Sequence, residues 1–257
     1  MISSTKSTTM AKGRTNDEAA AETLSGKLIS DSPKLLEHGV VRCKISDKID
    51  VQKWSRELSQ VTPLNMTMEG DGEYAFYRNI MDEPDFPFDS VLFDDSNSDD
   101  SSSTSLSEIG RVIQKYFGVS DLKHEIRLDD AFCVHYNMDQ GDTSGAKHTD
   151  PSDITVNLCL EKSPDAEGSH VLFHGIRKIG LVEGVVLENM GIIKESKDEE
   201  FPRQFIVQQE PGYATIHWGN HPHETLELTK GKRTNIILTY CYTDSSKSDV
   251  ATRNCYG

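Results

Sequence analysis

No stretch of this 257-residue chain approaches the ~18 consecutive apolar residues that a membrane span needs. An integral helical membrane protein is thereby excluded. Its 18 glycines do not recur at every third position, no heptad pattern runs through it, and no internal repeat is present. Collagen-like, coiled-coil and solenoid architectures fall away with those patterns. Cysteine is sparse as well. The five residues Cys43, Cys133, Cys159, Cys241 and Cys255 are odd in number, widely spaced and free of any CxxC pair. That argues against a disulfide framework or a thiolate zinc site, and for free thiols in a reducing compartment. The first residues lack the apolar segment of a secretory signal. Residues 1–16 are Ser/Thr-rich and carry Lys6, Lys12 and Arg14 without an acid, a composition compatible with an organellar transit peptide. Read with the polar, aperiodic stretch up to about residue 30, they are expected to form a disordered tail, and the expected location is cytoplasmic or nuclear. The sequon Asn65-Met66-Thr67 carries no meaning without a secretory route.

Positive charge is also in short supply: 27 Lys and Arg face 42 Asp and Glu, for a formal net charge of −15. Nucleic-acid binders need a basic face for phosphate, so such a partner is disfavoured. The deficit is uneven. Residues 82–100 hold eight acids and no base, residues 128–257 contribute another −8, and the remainder is nearly neutral. Residues 82–104, rich in Asp and Ser with Pro84 and Pro87, read as a long acidic surface loop. Phe86, Phe88 and Phe93 within it raise the idea of a basic-peptide contact.

Helical spacing of Ile49, Val51, Trp54 and Leu58 predicts a helix over 47–60 that stops at Pro63. Asp71-Gly72 signals a turn before a strand at 74–77. Ser105 and Glu108 form a capping-box pattern for a helix whose apolar face is Leu106, Ile109, Val112, Ile113, Tyr116 and Phe117, ended by Gly118. From Ile126 onward short strands dominate, expected at 130–137, 154–160, 170–174, 185–188, 203–208, 213–217 and 233–242. The expected fold class is mostly β with supporting helices, a jelly-roll barrel. The expected organisation is a tail over 1–30, a helical support region over 31–125, a barrel over 126–243 and a C-terminal tail over 244–257.

The chemistry concentrates in Asp130-Ala-Phe-Cys-Val-His-Tyr136, His148-Thr149-Asp150, His217-Trp-Gly-Asn-His221-Pro-His223 and Arg233. In an extended segment residues i and i+2 point to one side, so His148 and Asp150 can share one ion. One more histidine from a facing strand would complete a two-His, one-carboxylate triad. Such a triad leaves open positions for a bidentate co-substrate and O₂, as in non-haem Fe(II) oxygenases. The far end of a dicarboxylate co-substrate then needs a fixed cation, and the planar fork of Arg233 suits that role. His217, His221 and His223 compete as the third ligand; His170 and His174 read as structural or surface residues.

In this ordered set the chain resembles the Fe(II)/2-oxoglutarate-dependent dioxygenase superfamily, in its prolyl/lysyl-hydroxylase-like branch. The resemblance covers roughly residues 126–243 and is carried by Phe132–Tyr136, His148–Asp150, Thr155–Leu160 and Ile216–Arg233, with Gly231 two residues before the arginine. It implies a double-stranded β-helix and Fe(II) on His148, Asp150 and His223. It also implies 2-oxoglutarate with its distal carboxylate on Arg233, Tyr136 as a co-substrate partner, and ascorbate as an accessory reductant. Strand alternation adds Asn235, which shares the face of Arg233, and places Thr155, Asn157 and Cys159 on one face. The chain departs from the family pattern at Gly168-Ser169-His170, where relatives often carry Gly-Gly-Glu. The implied activity is hydroxylation of a C–H bond with O₂, yielding succinate and CO₂. The substrate is expected to be a Pro or Lys side chain of a protein, the alternative being a free amino acid or small metabolite. A non-catalytic metal-binding barrel acting as a binding module is the reading from a different class.

Overall fold

The structure is a computed structural model that describes residues 34–36, 39–59, 76–94, 105–139, 143–175, 177, 179 and 204–252. The expected tail over 1–30, the sequon, the strand at 185–188 and the loop residues 95–104 lie outside the described residues. In chain order the elements begin with strands Lys34–Leu36 (β1) and Val40–Lys44 (β2), helix Val51–Ser59 (α1) and strand Phe76–Asn79 (β3). Helices Asp89–Leu92 (α2), Glu108–Tyr116 (α3) and Leu122–Glu125 (α4) follow. Strands Ile126–Asn137 (β4), Gly145–His148 (β5), Ile154–Lys162 (β6), Glu167–Gly168 (β7), Val171–His174 (β8) and Gln204–Val207 (β9) come next. The last are Tyr213–Trp218 (β10), His223–Thr225 (β11), Leu228–Lys230 (β12) and Lys232–Tyr242 (β13).

The strand pairs are nested. β8 pairs with β9, β6 with β10, β5 with β11 and β4 with β13, all antiparallel. A long hairpin rolled on itself gives this pattern. Its strands fall alternately into a seven-stranded sheet in the order β1-β2-β10-β6-β13-β4-β3 and a four-stranded sheet in the order β5-β11-β8-β9. The fold is therefore a jelly roll of the double-stranded β-helix type, as expected.

Side-chain parity gives the larger sheet two different faces. Ile154, Val156, Leu158 and Leu160 of β6 join Ile236, Leu238 and Tyr240 of β13 and Ala214, Ile216 and Trp218 of β10 in the main core. Helices cover that face. α1 supplies Trp54 and Leu58, and α3 supplies Ile109, Val112 and Ile113. Phe117, just past α3, meets Trp218 edge-on at 4.8 Å between ring centroids. Burying such side chains stabilises by roughly 1.5–3 kcal/mol each. The opposite face carries Thr155, Asn157, His217, Arg233 and Asn235, and it lines a cavity against the smaller sheet. The apolar face of this sheet thus holds the helices and leaves the other face for polar groups.

The helix starts differ from the sequence reading. Asp50 caps α1, its Oδ1 accepting from the Lys53 amide at 2.8 Å, so the helix begins at Val51 rather than 47. Ser107, not Ser105, caps α3: its hydroxyl accepts from the Gly110 amide at 3.0 Å and donates to the Val91 carbonyl at 2.6 Å. The second bond ties α3 to the supposed acidic loop. The described part of that loop is not a surface excursion. α2 lies within it, Val91 is wholly buried, and Phe86 packs against Trp54 at 4.9 Å. Phe88 and Phe93 pack partly buried against the same core, so these rings are structural. Strands β1, β2 and β3 add to the sheet from residues read as helical support. The described cysteines Cys43, Cys133, Cys159 and Cys241 are free and buried. Among the described residues no helix is long and apolar enough to cross a membrane.

Candidate metal and co-substrate centre

His148 closes β5 and His223 opens β11, and the two are direct partners across that antiparallel pair. Their rings lie 4.5 Å apart between centroids. Asp150 sits just beyond β5, so strand alternation alone does not aim it. A backbone bond does: the Asp150 amide donates to the Gly219 carbonyl at 2.8 Å, and the Gly219 amide donates to the Asp153 carbonyl at 2.9 Å. Gly219 permits this approach, since a Cβ there would stand 2.0 Å from the Ser152 carbonyl oxygen.

Each side chain is turned by a second contact. His148 Nδ1 lies 2.7 Å from the Ala146 carbonyl, and His223 Nδ1 lies 2.9 Å from the His221 carbonyl. A carbonyl only accepts, so both Nδ1 atoms carry a proton, and in the neutral imidazole that a metal ion takes both Nε2 atoms present a lone pair. Those Nε2 atoms lie 3.3 Å and 3.7 Å from Asp150 Oδ1. Thr155 donates its hydroxyl to the other oxygen, Oδ2, at 2.5 Å. The three ligand atoms lie within 4.8 Å of one another, a donor set that fits one divalent ion. The outer hydrogen bonds set the tautomers that such an ion requires.

The electrostatics agree. Burial alone would raise the Asp150 carboxyl, but the charge of His223, the bond from His148 and the hydroxyl of Thr155 hold it well below the usual carboxylate range. Burial would lower His148, yet its contacts with Asp150 and the Ala146 carbonyl raise it. Burial lowers His223.

The competing histidines separate. His221 is buried, with Nε2 3.2 Å from the Gly175 carbonyl, and it is not one of the three converging residues. His174 bonds to Glu224 at 2.8 Å and to Gln204 at 3.0 Å, a structural role as expected. His217, one residue from the end of β10, is not one of the three converging residues, but it lines the cavity and brings Nε2 to 3.9 Å from Asp150 Oδ2. Its Nδ1 faces the Trp218 carbonyl at 3.0 Å, and burial, with His223 adding, pushes it down to about 4. Phe173 was not foreseen. Its ring touches His217, His221 and His223 at centroid distances of 5.1, 4.9 and 5.5 Å, which locks their orientations.

The cavity measures about 550 Å³, and Arg233, Tyr136 and Asn235 line it with the triad. Arg233 and Tyr136 are direct partners on β13 and β4, with the guanidinium 5.2 Å over the ring. Arg233 is 2% exposed, donates Nη1 to the Ser169 carbonyl, and leaves Nε without a partner. Among the described residues no carboxylate pairs with it. A buried guanidinium without a counter-ion is costly, and a ligand carboxylate would relieve that cost. Ser169 holds its carbonyl there from a left-handed conformation, φ 56°. Asn235 donates to Asn157 and, at 3.1 Å, to Gln209, which sequence reasoning missed. Cys159 is buried beside this group, and burial pushes its thiol up to about 12.

No protein-family model matches the chain, and no curated protein sequence matches it. Solved structures do resemble it. The non-heme alpha-ketoglutarate-dependent epimerase SnoN from nogalamycin biosynthesis is 14% identical over 88% of this chain and 84% of its own, with a TM-score of 0.47. AviO1 from Streptomyces viridochromogenes is 11% identical over 91% and 98%, with a TM-score of 0.48. A Pseudomonas putida prolyl-4-hydroxylase is 12% identical over 87% and 97%, with a TM-score of 0.41. The strand order and the donor geometry, rather than these distant likenesses, establish the fold and define the site.

Proposed function

We propose that the protein is an Fe(II)- and 2-oxoglutarate-dependent dioxygenase. One observation carries the reading: two Nε2 lone pairs and one carboxylate oxygen converge in the cavity that also holds a buried, acid-free arginine. His148, Asp150 and His223 hold the metal. Arg233 takes the distal carboxylate of 2-oxoglutarate, with Tyr136 and Asn235 at its sides. Bound there, iron with 2-oxoglutarate and O₂ would supply the oxidising chemistry for hydroxylating a C–H bond, with succinate and CO₂ as co-products. Ascorbate would keep the metal reduced.

This chain's own residues prepare that chemistry. Ala146, His221 and Thr155 fix the ligand orientations, and the ring of Phe173 packs beside His217 and His223. Among the exposed residues lining the cavity are Tyr77 and Asn79 on β3 of the larger sheet, Lys147 on β5 of the smaller one and Pro151. A Pro or Lys side chain of a protein is the substrate this reading favours, with a free amino acid as the second choice. The division into a support region and a barrel at residue 126 belongs to the same reading.

The test is oxygen-dependent succinate release with iron, 2-oxoglutarate and a panel of peptides and amino acids. Release should be seen with the native protein and lost in Asp150→Ala. Release that persists in Asp150→Ala would refute the assignment.

A further inference from the structure

Two acids line the cavity, Asp150 and Asp130. Asp150 is committed to the histidines and Thr155. Asp130 is different. Its Oδ1 accepts from the Ala131 amide at 2.8 Å and from Asn79 at 3.4 Å, while Oδ2 takes no hydrogen bond from any described residue. Among the described residues no Lys, Arg or His pairs with it. The Lys, Arg and His side chains lining the cavity are Lys147, Arg233 and three histidines, and none of them pairs with Asp130.

The register shows where this charge sits relative to the metal ligands. Asp130 is the direct partner of Thr239, Thr239 of Thr155, and Thr155 of His217, so the four form one row across β4, β13, β6 and β10. Thr155 is the residue that holds Asp150. Two strand spacings separate the Asp130 and Thr155 backbones, roughly 10 Å. Beside Asp130 on the same inner face lies Phe132, whose ring meets Tyr77 at 5.7 Å between centroids with a 38° tilt. Tyr77 is 40% exposed. An unneutralised carboxylate that shares a cavity wall with two aromatic rings is a site for an organic cation.

We infer that the substrate end of the cavity binds an ammonium group, with Asp130 Oδ2 as its counter-ion and Tyr77 and Phe132 as its wall. The substrate class is an amine whose charged nitrogen lies a few bonds from the carbon that faces the triad. Among the side chains considered above this selects lysine over proline. The inference rests on the oxygenase reading for the fate of the bound amine, whereas binding itself needs neither iron nor 2-oxoglutarate.

The metal-free full chain is therefore the sample, and phenethylammonium and neutral phenethyl alcohol are the probes, followed by ligand-observed NMR. The expected result is an about five- to tenfold preference for the ammonium in the native protein. Salt should weaken binding of the ammonium and leave the alcohol unaffected. Asp130→Asn should erase the preference. Asp129→Asn should keep it, because the Asp129 carboxylate is paired with Arg127 at 2.6 Å. Equal binding of the two probes, no saturable ammonium binding, or salt-independent ammonium binding in the native protein would overturn the inference, and so would a preference retained in Asp130→Asn. The native-protein arms decide the matter even if Asp130→Asn folds poorly. Failure of the oxygenase reading would appear separately, as absence of succinate, with ammonium binding intact.

Discussion

Thr155 donates its hydroxyl to Asp150 Oδ2 at 2.5 Å, and in doing so leaves Oδ1 alone to face the two histidine Nε2 atoms. Thr155 stands on β6 with its side chain turned from the apolar core toward the cavity. The sheet that builds the hydrophobic core therefore also orients the carboxylate. Replacing Thr155 by valine keeps the shape and removes the bond. Divalent-metal affinity, measured by calorimetry under nitrogen, should fall about 10- to 100-fold, the usual effect of losing an outer partner of a ligand. The fold, followed by circular dichroism, should persist.

Arg233→Gln should separate the two halves of the centre. 2-Oxoglutarate affinity should drop by about tenfold or more, since a charged, oriented donor pair is lost. Metal affinity should stay near the native value, because Arg233 is not among the three converging ligands. Calorimetry with metal alone, and then with metal and 2-oxoglutarate, reads both.

Neighbouring residues of β6 should report opposite properties. Leu158 is wholly buried in the core beneath the helices, and Leu158→Ala should cost about 2–5 kcal/mol in denaturant unfolding with little change in 2-oxoglutarate binding per folded molecule. Asn157, one position away, lines the cavity and bonds to Asn235. Asn157→Ala should cost less stability and weaken 2-oxoglutarate binding.

Glu161 links α1 to β13 through Ser55 at 2.9 Å and Lys232 at 2.6 Å. Burial would raise its carboxyl, but those two partners outweigh it and lower it. A carboxyl lowered by folding adds stability above its unfolded value and loses that contribution as pH falls through the folded one. Glu161→Gln should thus melt about 1–2 °C below the native protein at neutral pH. The two melting curves should converge once the pH falls below the folded value. A gap that persists in acid would contradict this origin.

Much of the architecture is legible in the residue pattern. Even-numbered apolar residues in 154–160 and 236–242 mark the face beneath the helices, and the odd ones predict the polar cavity face. His148, Asp150, His223 and Arg233 stand out because their order and spacing fit one chemistry. Other features depend on contacts between distant segments. Asp and Ser composition hides Val91 and Leu92, since a four-residue helix is too short to show a period. Val40–Lys44 carries the signal of a short buried strand, two adjacent valines after Gly39, but its place beside β10 is not local information. His217 and Asp130 line the cavity, and Phe173 and Gln209 touch side chains that line it, through pairing of distant segments that a single strand cannot display. The extended-segment argument for His148 and Asp150 names two residues that the structure brings together, but by an incomplete route, because Gly219 rather than strand alternation aims the carboxylate.

The most direct test of the centre is an anaerobic titration of Fe(II) followed by 2-oxoglutarate into the native chain, His223→Ala and His221→Ala. The account predicts one tightly bound iron per native chain and a weak visible charge-transfer band when 2-oxoglutarate is added. Both should be lost in His223→Ala and kept in His221→Ala, whose altered side chain leaves the carbonyl that orients His223 in place. Iron binding and the band surviving in His223→Ala, or vanishing only in His221→Ala, would contradict it.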